Sequence, residues 1–119
     1  FGEADRAQFY GALGHLVRLG ETGGTTVVVS ATAPQRRYRD AVRERSERFV
    51  EVWLDLPVDE AAKRDPKGLY AAAKAGEAPH MPGVGTCYEP PRAPELHLDA
   101  TRPVATHVDA IVRILEASW

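Results

Sequence analysis

The 119-residue chain has a single cysteine, Cys87. One thiol excludes a disulfide framework and a cysteine zinc cluster, and it agrees with a reducing, cytoplasmic setting. With no evident activating base in the sequence, Cys87 reads as an inert thiol. No apolar run approaches the roughly 18 residues of a membrane span, and the N-terminus lacks the basic-then-apolar pattern of a signal peptide, so no membrane partner is expected. Neither sign of charge dominates. Fifteen Lys and Arg stand against seventeen Asp and Glu, a net charge of -2, which gives no electrostatic reason to expect nucleic acid as a partner. Any anion site must be local. His15, His80, His97 and His107 are scattered without ligand spacing, so no metal site is expected. Also missing is any G-x-x-x-x-G-K-[ST] run, the loop whose backbone N–H groups cradle phosphates; Gly83-Val84-Gly85 is a weaker glycine signal that reads as a hinge.

The remaining composition is that of an ordinary globular domain, 44% apolar and 27% charged, in a length that fits one core. Residues 4 to 20 place Phe9, Leu13, Leu16, Val17 and Leu19 close to helical spacing, and Gly23-Gly24 ends the pattern. Thr25 to Ser30 (TTVVVS) is almost wholly β-branched and too short for a helix, which predicts a strand buried on both faces. After Pro34, the charged run QRRYRDAVRERSER predicts a surface helix. Phe49 to Leu54 (FVEVWL) reads as a second strand, followed after Pro57 by a short helix, VDEAAKR, and by another from Pro66 to Ala75. From Gly76 to Pro94 glycine and proline are too dense for a regular element, so a long functional loop is expected. Glu95 to Leu98 (ELHL) predicts a last short strand, and Val108, Ile111, Val112 and Leu115 mark a closing helix.

Helices alternating with apolar strands predict an α/β fold: a parallel sheet covered by helices on both faces. Only three strands are visible, fewer than such a sheet normally has. The sheet is therefore expected to be incomplete at the N-terminus. The start at Phe1 rather than Met, directly before a helix, carries the same expectation of upstream residues.

A family becomes visible in the run Arg64-Asp65-Pro66-Lys67-Gly68-Leu69-Tyr70, read together with Gly76-Glu77 and Tyr88-Glu89-x-Pro91. Around it, in order, stand Phe1 with Asp5-Arg6, Pro34 with Arg36 and Arg39, FVEVWLD at 49–55 and PELHLD at 94–99. This succession resembles the adenylylsulfate (APS) kinase family of P-loop kinases over nearly all of the chain. The resemblance implies that residues 1–119 are the C-terminal two thirds of one such domain, with a lid at about 64–94. It further implies a phosphotransferase that moves the γ-phosphoryl of MgATP to the 3'-hydroxyl of adenylylsulfate in sulfate activation. ATP and Mg2+ as cofactors, a small nucleotide acceptor and a homodimer come with it. That chemistry needs positioning and charge neutralisation more than covalent catalysis.

By the same resemblance, Phe1 stacks on the acceptor adenine, Arg6 binds an acceptor anion and Lys67 serves substrate binding. A proline before Lys67 and a glycine after it suit a cation held at a fixed point, and the planar fork of Arg6 suits phosphate or sulfate. Met81 takes the place of the second aromatic of the adenine clamp, and Thr32 lies in the acceptor segment. Arg64, Lys74, Arg36 and Arg39 are candidates for nucleotide or phosphate, although a solvated face is the ordinary reading of arginines in so charged a helix. No catalytic residue is identifiable in the chain; the phosphate loop and its lysine are expected upstream of Phe1.

The sequence departs from the family at the acceptor side. The family's Asn after Asp-Arg is Phe9, its F-I-S-P is Ala31-Thr32-Ala33-Pro34, and its F-T-G-I is Met81-Pro82-Gly83-Val84. A thioether in place of a ring loosens stacking worth about 1–3 kcal/mol per base contact. Two alternatives therefore stand beside an APS kinase: a related kinase with a different small-molecule acceptor, and a degenerate kinase-like module without catalysis.

Overall fold

The computed structural model describes residues 2–65, 68–76 and 87–117. Five helices and two strands follow in the order α1 (Glu3–Thr22), α2 (Arg36–Arg43), β1 (Val52–Asp55), α3 (Val58–Lys63), α4 (Leu69–Lys74), β2 (Leu96–Asp99) and α5 (Val104–Ala117). Helix α1 starts where the Gly2 N–H donates to Asp5 Oδ2 at 2.9 Å. Glu3 and Asp5 place negative charge at the positive end of the helix dipole. The helix stops at Gly23, and Gly24 turns the chain with φ +73°.

Helix α2 is shorter than the charged run suggested. It ends at Arg43, where the Ser46 hydroxyl donates to the Val42 carbonyl at 3.0 Å and competes with helix continuation. The turn beyond it is held by α1: Glu21 Oε1 accepts the N–H groups of Glu47 (2.8 Å) and Arg48 (3.2 Å). The two helices pack where the Tyr10 and Tyr38 rings stack at 4.5 Å. Gly14 is buried there, and a Cβ added to it would make an ordinary contact with Val42 Cγ2 at 3.6 Å.

Strands β1 and β2 pair in parallel, with Val52 opposite Leu96 and Asp55 opposite Asp99. Helix α5 packs on β2. Parallel pairing of strands far apart in sequence, with helices between them, is the expected α/β pattern.

The strand expected at Thr25–Ser30 is a correction. These residues carry no ladder, and Val27, Val28 and Val29 are 39%, 85% and 43% exposed. A β-branched run becomes a strand only where neighbouring backbone takes its N–H and C=O groups. Among the described residues β1 pairs with β2 alone, and nothing pairs with 25–30. The apolar stripe of α1 is bare for the same reason: Phe9, Leu16 and Leu19 are each more than half exposed. Ala33, Pro34 and Tyr38 are the buried apolar side chains among the described residues. No helix of the described residues is long and apolar enough to cross a membrane.

Candidate functional site

Two groups of polar side chains stand out. The first lies at the carboxyl ends of β1 and β2, where parallel α/β sheets present ligand crevices. There His97 Nε2 lies 2.9 Å from Asp55 Oδ2, and the His97 ring stacks on Trp53 at 4.1 Å. Asp99 turns back on its own chain, accepting from the Thr101 N–H (2.9 Å) and hydroxyl (2.6 Å). These bonds, that of the hydroxyl foremost, hold its carboxyl below the usual range. Arg64, at the end of α3, donates to the Ala100 carbonyl at 3.0 Å, tying the start of the RDPKGLY run to the residue after β2.

Within that run Asp65 has a structural task. Its carboxylate accepts the N–H groups of Leu69 (2.8 Å), Tyr70 (2.9 Å) and Ala71 (3.3 Å), the otherwise unpaired donors of the first turn of α4. Gly68 precedes that helix with φ +65°, a backbone state that any side chain would strain. The described residues of the RDPKGLY run are thus held at Arg64 and Asp65 and again from Gly68 onward.

The second group surrounds Ala33. Arg39 extends from α2 with Nε 2.7 Å from Glu51 Oε1, and its two terminal nitrogens donate to the carbonyls of Ala33 and Glu89. Its guanidinium also lies over the Tyr88 ring, 5.5 Å from the centroid. Arg36 donates its backbone N–H to Glu89 Oε2 at 2.7 Å and its side chain to the Pro90 carbonyl at 3.1 Å. Arg43 continues the network, bridging Glu51 (3.3 Å) and Glu95 (2.6 Å). A cavity of about 350 Å³ opens beside these arginines, lined also by Asp40, Pro91 and Arg92. It includes neither Arg6 nor Thr32.

The residues singled out in the sequence are distributed accordingly. Phe1, Lys67 and Met81 lie outside the described residues, as does the side chain of Lys74, which ends α4. Arg6 is half-buried on the first turns of α1, and Thr32 is exposed just before Ala33. Arg36 and Arg39 come together on the Glu89 segment, whereas Arg64 is committed to the far side at Ala100. Sequence reasoning missed Tyr10, Glu51 and Glu89 as partners. Glu51 and Glu89 lay in runs that carried the family resemblance, FVEVWLD and Tyr88-Glu89-x-Pro91, but neither run told of a bond such as that from Glu89 to Arg36 across 53 residues.

Among the described residues no group of three or more His, Cys, Asp or Glu side chains could hold a metal ion. Asp55, Asp65 and Asp99 are each engaged as above. The described residues do not form a magnesium cage of their own.

A sequence profile described as adenylylsulphate kinase matches residues 1–99. The adenylyl-sulfate kinase of Citrobacter koseri is 38% identical over 117 residues, 97% of this chain and 58% of that protein. The bifunctional enzyme NodQ of Azospirillum brasilense is 42% identical over 98% of this chain and 19% of its own length. Among solved structures, the APS kinase CysC of Mycobacterium tuberculosis in complex with AMPPNP and APS superposes with a TM-score of 0.91 at 35% identity, covering 98% of this chain and 69% of that one. The chain thus spans somewhat more than half the length of the single-function curated kinase it matches. With the parallel α/β architecture and these matches, the chain belongs to the adenylylsulfate kinase family and has its P-loop kinase fold.

Proposed function

We propose that this chain forms the acceptor-side part of a cytoplasmic, homodimeric phosphotransferase that passes the γ-phosphoryl of MgATP to the 3'-hydroxyl of adenylylsulfate. The observation that carries the reading is the match of nearly the whole chain to a kinase solved with both an ATP analogue and adenylylsulfate. The local geometry agrees with it. The residues that flank Lys67 in the sequence are held, Arg64 by its bond to Ala100 and the start of α4 by the Asp65 cap, which suits a lysine that must meet an anion at a set place. Arg6 faces the acceptor anion with Phe1 and Met81 on the adenine and Thr32 beside them. Arg64 and Lys74 serve the nucleotide side. Residues 64–94 act as the lid. Arg36 and Arg39 contribute by shaping the site, given their bonds to Glu89.

The test is an ATP-dependent coupled assay with adenylylsulfate on the full-length gene product that carries this chain. Turnover is expected, with kcat/KM lowered about 100-fold or more in Lys67→Ala and in Arg6→Ala while the fold is kept, since each removes a charge-assisted contact strengthened in the transition state. Near-normal kcat/KM in both variants would show the roles to be assigned wrongly. A second reading, a sister kinase with another small hydroxyl acceptor, draws on Phe9. Its ring, 59% exposed and set edge-on to Tyr10 at 5.2 Å, stands where the family carries an amide. ATP turnover with another nucleotide and none with adenylylsulfate would establish it. ATP binding with no turnover on any acceptor would leave the non-catalytic module.

A further inference from the structure

The Ala33 backbone has φ +36°, the one positive value at a non-glycine residue among those described. For an alanine this is sterically disfavoured, and the following Pro34 restricts the position further. Such a state is strained and persists only where its surroundings over-determine it. Here they do. The Ala33 N–H donates to the Tyr10 hydroxyl on α1 at 2.9 Å, and its carbonyl accepts from Arg39 on α2. The next carbonyl, of Pro34, accepts the Glu89 N–H at 2.8 Å. Arg39 donates to the Glu89 carbonyl in turn, and the Glu89 carboxylate takes the Arg36 N–H. Both Ala33 and Pro34 are buried, whereas Thr32 beside them is exposed.

The segments of Tyr10, Ala33, Glu51 and Glu89 are thus joined around one strained peptide. Arg39 links three of them through separate donors, a task suited to a planar fork and beyond a single ammonium. Its side chain and that of Glu51 are each only 11% exposed, so the fork is held in place from β1 as well. Stability alone would be served better by a relaxed turn.

We propose that Tyr10, Arg39 and Glu89 are positioning residues that lock the Ala33–Pro34 backbone and thereby fix the segment 31–34 against the segment 88–91. The exposed edge of that unit, at Thr32, is presented to the acceptor in one geometry. This last step rests on the acceptor-site reading above; the lock itself does not.

The decisive variant is Tyr10→Phe in the full-length gene product. It keeps the ring that stacks on Tyr38 and deletes only the oxygen that accepts the Ala33 N–H. The expected result is a rise of about five-fold in KM for adenylylsulfate with KM for MgATP unchanged, the Tm falling only by the few degrees that one unpaired N–H costs. Arg39→Lys should raise the same KM by about ten-fold or more. Amide hydrogen exchange supplies a readout that needs no turnover. In Tyr10→Phe the Ala33 and Glu89 N–H groups should lose protection together, by about ten-fold. Unchanged kinetics in Tyr10→Phe, or equal rises in both KM values, would overturn the positioning role. Absence of adenylylsulfate turnover by the wild-type protein would overturn the function proposed above instead. The lock would then stand or fall on whether Glu89 exchange responds to the change at Tyr10. Should Arg39→Lys fail to fold, Tyr10→Phe decides.

Discussion

Arg43 grips Glu95 with both ends of its guanidinium, at 2.6 and 2.8 Å, across 52 residues of sequence. The same carboxylate accepts the Glu51 N–H at 2.6 Å, so one acid joins the end of α2 to the starts of both strands.

Acid should release that junction. The Arg43 hydrogen bond, ahead of the opposing effect of burial, lowers the Glu95 carboxyl to about 2. A folded value below the unfolded one means that the stabilisation is complete above about pH 4.5 and disappears as the pH falls toward 2. The side chain is partly exposed, so its worth is about 1–2 kcal/mol rather than the full shift. Urea unfolding of wild type and Glu95→Gln should differ by that amount at pH 6 and converge by pH 2. A gap that stays constant with pH would exclude the assignment.

Two glycines of α1 should respond oppositely to alanine. At Gly11 an added Cβ meets nothing within 4 Å, so only helix propensity acts, and Gly11→Ala should gain about 0.5–1 kcal/mol. At Gly20 the same atom would sit 2.4 Å from Val27 Cγ2. Overpacking of about 1–3 kcal/mol outweighs the propensity gain there. Thermal melts should place the two variants on opposite sides of wild type.

The backbone at Ala33 predicts a second contrast. Ala33→Gly removes the strain but also a buried methyl worth about 0.8 kcal/mol, so its stability should stay within about 1 kcal/mol of wild type. Ala33→Val adds branching to a position already disfavoured for alanine and should cost more than about 2 kcal/mol. Similar losses in both would show that packing, not backbone conformation, governs this position.

Asp65 carries a prediction about a helix rather than about chemistry. Replacing it by alanine frees three N–H groups of α4 and should destabilise that helix by about 1–2 kcal/mol. Limited proteolysis would report this as faster cleavage within 68–76, with cleavage in α1 unaffected.

Helix positions were legible in the sequence because apolar spacing and the Gly23-Gly24 stop are local signals, and α1 and α5 lie where these put them. The β1 and β2 segments were legible from their composition to within a few residues. TTVVVS is richer in β-branched residues than either yet has no ladder, since pairing depends on what runs beside a segment and not on the segment itself. In the site, RDPKGLY marked the family, but the cap made by Asp65 and the tie from Arg64 to Ala100 needed coordinates. For Arg36 and Arg39 a solvated face was the ordinary reading and ligand binding the lesser one. Their partners Glu89 and Pro90 lie more than 49 residues away, beyond any periodicity.

The bare valines at 27–29 bear on how the chain behaves in a tube or a cell. Six β-branched or small residues with no charge and no proline, with no strand beside them among the described residues, form a template to which another copy can add itself strand by strand. Preparations of these 119 residues alone should therefore favour inclusion bodies. A lysine at Val28, the most exposed of the three, is the single change that should keep them dispersed.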